Sequence, residues 1–338
     1  MDSVNLSQLA LHLGLSKSTV SKALKDSYEI SVETKKRVKA LAKELNYQPN
    51  PYASSLRKHK SKTIAVILPQ VDNNFLASTI KGIQSIAQER DYHVLLYLTY
   101  DNPQKEIDIF NLLKSGRVDG IIISTVSEDD KIQHIEEMAE TVPVVFIDRV
   151  CENFNTAKIT TDDVNAACTG VEHLIEKGCR RIAYMYVLQH FSIGKRRLEG
   201  YLKALAKHNL PVEESLILKC NQDYDGNYKL VKDLLLSENK PDGILSPVEK
   251  MAITSYYVCE EIGLRIPQDI KIISFSNLAF ASLLSPSLTT ITPPAFEMGQ
   301  KAATLLLNSF EKKKYGLTNE NIILPATIID RESTNNDY

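Results

Sequence analysis

The sequence predicts a small all-α helix-turn-helix head followed by a larger α/β body of two doubly wound parallel-sheet lobes. Three observations carry this expectation. Apolar stripes at helical spacing fill residues 5–46, apolar runs alternate with amphipathic segments from Thr63 onward, and basic charge is crowded at one end. At 338 residues and 43% hydrophobic, the chain is long enough for one small module and a two-lobed core.

In the head, Leu6, Leu9, Ala10 and Leu13 form one stripe, Val20, Ala23 and Leu24 a second, and Val38, Leu41, Ala42 and Leu45 a third. Three such stripes can close one small core. Asn5 with Gln8 three residues later fits a capping box, Ser16 and Ser31 are N-cap candidates, and Gly14 punctuates the first turn. Pro49 and Pro51 end the third helix, because proline lacks an amide donor and disfavours helix in the residue before it. The segment Tyr52 to Lys62 then reads as a linker without a core of its own. The expected boundaries are 1–48 for the head, 49–62 for the linker and 63–338 for the body.

The body opens with Ile64–Leu68, Val94–Leu98, Gly120–Ile123 and Pro143–Ile147, and continues with Arg181–Val187, Asp242–Leu245 and Ile270–Phe275. Near-continuous apolar strands separated by helices indicate parallel sheets covered on both faces. So many units over about 275 residues exceed one domain of roughly 100–150 residues, and two lobes follow.

Composition narrows the function classes. Residues 1–62 hold 12 Lys and Arg against 5 Asp and Glu, a net +7; the remainder holds 28 against 37, a net −9. A basic head on an acidic body suits a polyanionic partner. The five cysteines (Cys151, Cys168, Cys179, Cys220, Cys259) are widely spaced and include no Cys-x-x-Cys pair, so they read as reduced core residues, with neither a disulfide framework nor a metal site expected. Residues 1–30 lack a charged segment leading into an apolar run, and no stretch of about 18 apolar residues occurs. A cytoplasmic protein with no membrane partner is therefore expected.

The second helix opens Ser16-Lys17-Ser18-Thr19-Val20-Ser21-Lys22. With Val20, Ala23 and Leu24 turned to the core, helical spacing turns Lys17, Ser18, Ser21 and Lys22 outward together. Such a helix enters a DNA major groove with its N-terminal residues at base edges, where Lys can donate to guanine O6 and N7. Lys17, Ser18 and Lys22 are the expected base readers; Thr19 and Ser21 suit phosphate, which positions without reading sequence. A solvated helix face is the plainer alternative.

The run Leu9-Ala-Leu-His-Leu-Gly-Leu-Ser-Lys-Ser-Thr-Val-Ser-Lys-Ala-Leu24, then Ser31-Val-Glu-Thr34, Leu45-Asn-Tyr-Gln-Pro-Asn-Pro51 and Ala53-Ser-Ser-Leu56, resembles the lactose/galactose repressor family, and the likeness continues to Leu324–Ser333. The resemblance implies a hinge helix formed on operator DNA by the segment with Ala53, Leu56 and Arg57, and a minor-groove wedge at Leu56. Unstacking by such a wedge costs a few kcal/mol, offset by a bent duplex that meets more protein. An ordinary packing role is the alternative for Leu56. Arg57, Lys58, Lys60 and Lys62 would lie near phosphate. Lys25-Asp26 departs from the Asn-Gly common in the family at the end of the recognition helix.

The body is similar to type I periplasmic sugar-binding proteins, which implies lobes joined by crossing strands: lobe 1 at about 63–160 and 292–323, lobe 2 at about 161–291 and 324–338. Ligands of open parallel sheets sit beyond the carboxyl ends of strands. The expected effector residues are Asp72, Asn73, Phe75, Asp148, Arg149, Asp162, Arg197, Glu249, Ser276 and Asn277, which suit a hydroxylated ring through paired hydrogen bonds and an aromatic face. The resemblance makes Arg197 the principal ligand-binding arginine; a surface ion pair with Glu199 or another carboxylate is its alternative, and a strand-end cap the alternative for Asp148 and Asp162. Glu249 and Ser276 depart from the family pattern, which has Asp at the first position and Asp or Asn at the second. A dimer follows from symmetric reading of a palindromic site, and no leucine heptad remains for a tetramerising helix. No phosphate loop, dinucleotide fingerprint, His-Glu-x-x-His or Gly-x-Ser-x-Gly elbow occurs and the seven histidines are scattered, so neither catalytic residues nor a cofactor is expected.

Overall fold

The computed structural model describes residues 5–47, 61–127, 130–187, 189–221, 223–311 and 320–335. Ala53, Leu56 and Arg57, with Lys58 and Lys60, lie outside the described residues. The chain divides into two compact units between Ser61 and Lys62.

The first unit holds α1 (Leu6–Leu13), α2 (Lys17–Leu24) and α3 (Val32–Glu44). Leu9, Ala10, Val20, Ala23, Val38 and Ala42 form its buried core, so all three stripes converge. Asn5 Oδ1 accepts from the Ser7 and Gln8 amides at 2.9 and 3.0 Å, while Gln8 Oε1 accepts from the Asn5 amide at 2.8 Å. The capping box therefore satisfies donors that the first helical turn leaves without partners. Gly14 ends α1 in the left-handed region at φ 64°.

The end of α2 uses a residue that is not glycine. Asp26 sits at φ 60°, and the Ser27 amide reaches back to the Lys22 carbonyl at 3.0 Å. Asp tolerates this backbone better than most side chains. Its carboxylate lies 3.3 Å from Lys35 Nζ and 3.5 Å from Lys39 Nζ on α3. Hydrogen bonding and charge from Lys35, then from Lys39, hold that carboxyl below its usual range. The departure from Asn-Gly thus exchanges a backbone preference for a tie between two helices.

The second unit contains β1 (Thr63–Leu68), α4 (Asn74–Glu89), β2 (His93–Leu98), α5 (Pro103–Leu113), β3 (Gly120–Ile123), α6 (Gln133–Ala139), β4 (Val144–Ile147) and β5 (Lys158–Thr161). It continues with α7 (Asp163–Glu176), β6 (Ile182–Tyr186), α8 (Ser192–Lys207), β7 (Ile217–Lys219), α9 (Tyr224–Leu236), β8 (Gly243–Ser246), α10 (Glu249–Ile262) and β9 (Lys271–Phe275). After β10 (Thr289–Thr292) and α11 (Ala295–Ser309) come β11 (Asn321–Leu324) and β12 (Thr327–Ile329).

Lobe 1 is a parallel sheet in the order β11-β5-β4-β3-β1-β2, and lobe 2 a sheet in the order β12-β10-β9-β8-β6-β7. Every pairing is parallel except β10 with β12. The chain crosses between lobes after β5, after β10 and between β11 and β12. Both faces of β1 are covered: Ile64, Val66 and Leu68 enter one core, Ala65 and Ile67 the other. That two-sided burial is why its run is apolar without alternation.

Helices α4 and α11 cross on lobe 1 with glycine on each side. A Cβ at Gly82 would lie 2.0 Å from the Phe296 carbonyl oxygen, and one at Gly299 would lie 2.1 Å from that of Thr79. No side chain fits at either position. All five cysteines are buried free thiols, and burial pushes Cys220 up to about 11 and Cys179 and Cys259 up to about 12.

Candidate functional site: a helix face and an interlobe cavity

In the first unit, Ser16 caps α2, its Oγ accepting from the Thr19 amide at 3.1 Å and lying 2.9 Å from Ser18 Oγ and 2.8 Å from Thr19 Oγ1. Lys17, Ser18 and Lys22 are exposed, while Thr19 and Ser21 are half-buried. The five form one polar surface around the N-terminus of α2. Lys22 is not free there: its ammonium pairs with Glu29 in the loop before α3, with about half of each side chain exposed.

In the second unit a cavity of about 680 Å³ lies between the lobes. Asp72, Asn73, Phe75, Asp148, Arg149, Arg197, Glu249, Ser276 and Asn277 all line it. Asp162 is not in the wall. Its side chain accepts from the Asn165 amide at 3.2 Å and caps the start of α7, a helix cap where the plainer reading had a strand-end cap.

Arg197 is buried on α8, where Ile193, Gly194, Gly200, Tyr201 and Ala204 share its inward face. Glu199, two residues on, cannot face it, and the carboxylate that Arg197 does pair with, Asp163, is buried and not on the surface. Arg197 Nε donates to Asp163 Oδ1 at 2.7 Å, Nη1 donates to the Pro247 carbonyl, and the guanidinium carbon lies 3.8 Å from the Phe275 ring centroid. Nη2 has no hydrogen-bond partner among the described residues. Asp163 escaped the sequence reading, yet a signal existed: it continues the buried stripe Ala166, Ala167, Gly170, Val171, Leu174 of α7 at helical spacing.

Arg149 is likewise buried, paired with Asp101 and lying 4.6 Å from the Phe191 ring centroid across the cleft. Asp148 accepts from Ser124 Oγ at 3.3 Å. Burial pushes the Asp148 and Asp163 carboxyls above the usual range, against the pull of the neighbouring guanidiniums. Tyr100, Asp101 and Asp148 line the cavity with φ of 53°, 55° and 64°. Of these, tyrosine tolerates that region least, so the backbone at Tyr100 is held there by its surroundings. Asn277 Nδ2 donates to the Pro293 carbonyl at 2.9 Å, whereas its Oδ1 is buried without a partner among the described residues.

A trihelical head with a polar recognition-helix face and a two-lobed body enclosing a polar cavity together define a DNA-binding transcription regulator with a separate small-molecule domain. Residues 5–50 match the family of bacterial regulatory proteins, lacI family, and residues 61–331 match periplasmic binding proteins and the sugar binding domain of the LacI family. The chain belongs to the LacI family. Catabolite control protein A of Priestia megaterium is 29% identical over 98% of this chain and 99% of its own length. The ribose operon repressor of Haemophilus influenzae is 28% identical over 94% and 95%. Among solved structures, the Lac repressor dimer bound to operator and an anti-inducer has a TM-score of 0.87, with 24% identity over 98% of this chain and 99% of that one. The relatives named here are transcription regulators, and among the described residues no helix is long and apolar enough to cross a membrane.

Proposed function

We propose that the chain is a cytoplasmic repressor that binds a palindromic operator as a homodimer and changes its DNA affinity when a small hydroxylated, sugar-like effector enters the interlobe cavity. The observation that carries the reading is the cavity wall: one buried guanidinium with an edge to spare, one buried carboxamide oxygen without a donor, and aromatic rings beside them. Arg197 Nη2 offers a donor and Asn277 Oδ1 an acceptor, while Phe75 and Phe275 offer apolar faces to ring carbons. The buried Asn277 oxygen left unpaired costs free energy, so a ligand that donates to it gains that back, and the spare guanidinium edge adds a donor beside it.

At the other end, Lys17, Ser18 and Lys22 read base edges, Thr19 and Ser21 hold phosphate, and Ala53, Leu56 and Arg57 form the hinge contact with the minor groove. Dimerisation is supported by apolar surface left uncovered on the second unit. Leu95 and Leu96 are exposed on the edge strand β2, and Phe280 and Leu283 near β10. Exposed apolar edges of this kind fit a self-complementary contact. Five buried thiols suit a reducing compartment.

The test is selection of duplexes from a random pool, followed by a screen of sugars and phosphosugars against the recovered sequence. A palindromic motif whose affinity shifts with one ligand supports the reading; a protein with no duplex preference over bulk competitor, with or without ligands, ends it.

A further inference from the structure

The cavity contains two positions where the chain departs from its family pattern, and the structure shows that they are a single feature. Glu249 is the first residue of α10 in lobe 2, and Ser276 follows β9 in the same lobe. Ser276 Oγ donates to Glu249 Oε2 at 2.7 Å and itself accepts from the Leu278 amide at 3.0 Å. A carboxylate at 276 would be pressed still closer against that of Glu249, and like charges so close cannot both remain ionised. Serine is what lets glutamate sit there.

The other oxygen of Glu249 crosses the cleft. Its Oε1 accepts from Asn74 Nδ2 at 2.8 Å and faces the Asn74 backbone amide at 3.5 Å. Asn74 opens α4 in lobe 1, so the carboxylate from lobe 2 rests on the positive end of a lobe 1 helix. An aspartate, one methylene shorter, would fall about 1.5 Å short of that reach on the length of a single carbon–carbon bond. Arg196 Nη2 of lobe 2 lies 2.6 Å from Glu152 Oε1 of lobe 1, a second tie between the lobes.

We propose that Asn74, Glu249 and Ser276 form a clasp that holds the two lobes together without ligand, and that Glu249 serves the protein's own closure and not the effector. The effector is then gripped by the other polar groups of the cavity, Arg197 and Asn277 among them, and it acts on a cleft already biased towards closure. This rests on the proposed effector reading only for its consequence in regulation; the clasp itself needs neither ligand nor DNA.

The experiment measures the distance between spin labels on the exposed positions Glu89→Cys in lobe 1 and Lys229→Cys in lobe 2, in full-length protein diluted with unlabelled chain and free of DNA and sugars. The parent should give one short-distance population. Glu249→Asp, Asn74→Ala and Ser276→Asp should each add a longer-distance population, and the Asn74→Ala/Glu249→Asp pair should add no more than either change alone. Asn74→Ala removes only a half-buried side chain, so a folding failure of the others leaves a decisive variant. Parent-like distances in Glu249→Asp and Asn74→Ala overturn the clasp while leaving the effector reading intact. Normal clasp behaviour with no ligand found by any screen does the reverse.

Discussion

Lys22 illustrates how a residue can be chemically suited to a task and still be occupied. Its pair with Glu29 must open before the ammonium can meet a base edge, and a half-exposed pair of this kind is worth roughly 0.2–1 kcal/mol. Glu29→Ala should therefore tighten operator binding by about 1.5- to 5-fold, whereas Lys22→Ala should weaken it by about 1–3 kcal/mol and relax the selected motif at particular bases. Fluorescence anisotropy against the selected duplex and its single-base variants checks both. Equal loss on every sequence for Lys22→Ala would place that side chain on phosphate. Arg197 presents the opposite situation, since Asp163 and Pro247 hold it without using its last edge. Arg197→Lys keeps the charge and loses the fork, so effector affinity should fall by about 1.5–3 kcal/mol, the worth of a charge-assisted bond. Calorimetry on a folded variant reads this, and unchanged affinity would remove Arg197 from the ligand.

At the level of elements, the helix pair α4 and α11 depends on backbone meeting backbone. Gly82→Ala drives a methyl into the Phe296 carbonyl, so the helices must part, at a cost of about 1–3 kcal/mol. A second element is held by buried charge. Glu106 on α5 is fully buried and accepts from Thr125 Oγ1, the Val126 amide and Ser127 Oγ at 3.1, 2.8 and 2.7 Å, with His134 Nε2 of α6 at 3.0 Å. Glu106→Ala strands these groups in the interior and should cost about 3–5 kcal/mol of unfolding free energy in urea titration. Glu106 shows where sequence reading stops, because nothing in Gln104-Lys-Glu-Ile-Asp-Ile-Phe110 separates a buried acid from a solvated one. Central strands such as β1, β3 and β4 were legible because two-sided burial leaves no alternation to misread, whereas the apolar run of β2 lies on an exposed edge. β5 was not, since Lys158, Thr160 and Thr161 are polar yet buried, and β7 and β12 are only three residues long. Nine of the ten expected effector residues line the cavity, and Asp162 does not, because a helix N-cap spends its own side chain on the backbone.

Across the whole molecule, a regulator needs the effector and the operator to bias one equilibrium, and linkage makes that bias reciprocal. If the effector changes operator affinity by some factor, the operator must change effector affinity by the same factor. Coupling of roughly 1–3 kcal/mol corresponds to about 5- to 150-fold. The charge distribution lets this factor be separated from simple attraction, because the +7 of residues 1–62 contributes a salt-dependent term to DNA binding that the −9 remainder does not share. Raising salt should therefore weaken operator binding steeply with and without effector, while the ratio between the two stays constant. Lys60→Ala should flatten the salt slope by about one unit and leave the ratio alone. Glu249→Asp, by loosening the lobes, should move the ratio and leave the slope alone. Measuring effector affinity for free and operator-bound protein at two salt concentrations closes the cycle, and a ratio that differs between its two directions would exclude a single shared equilibrium.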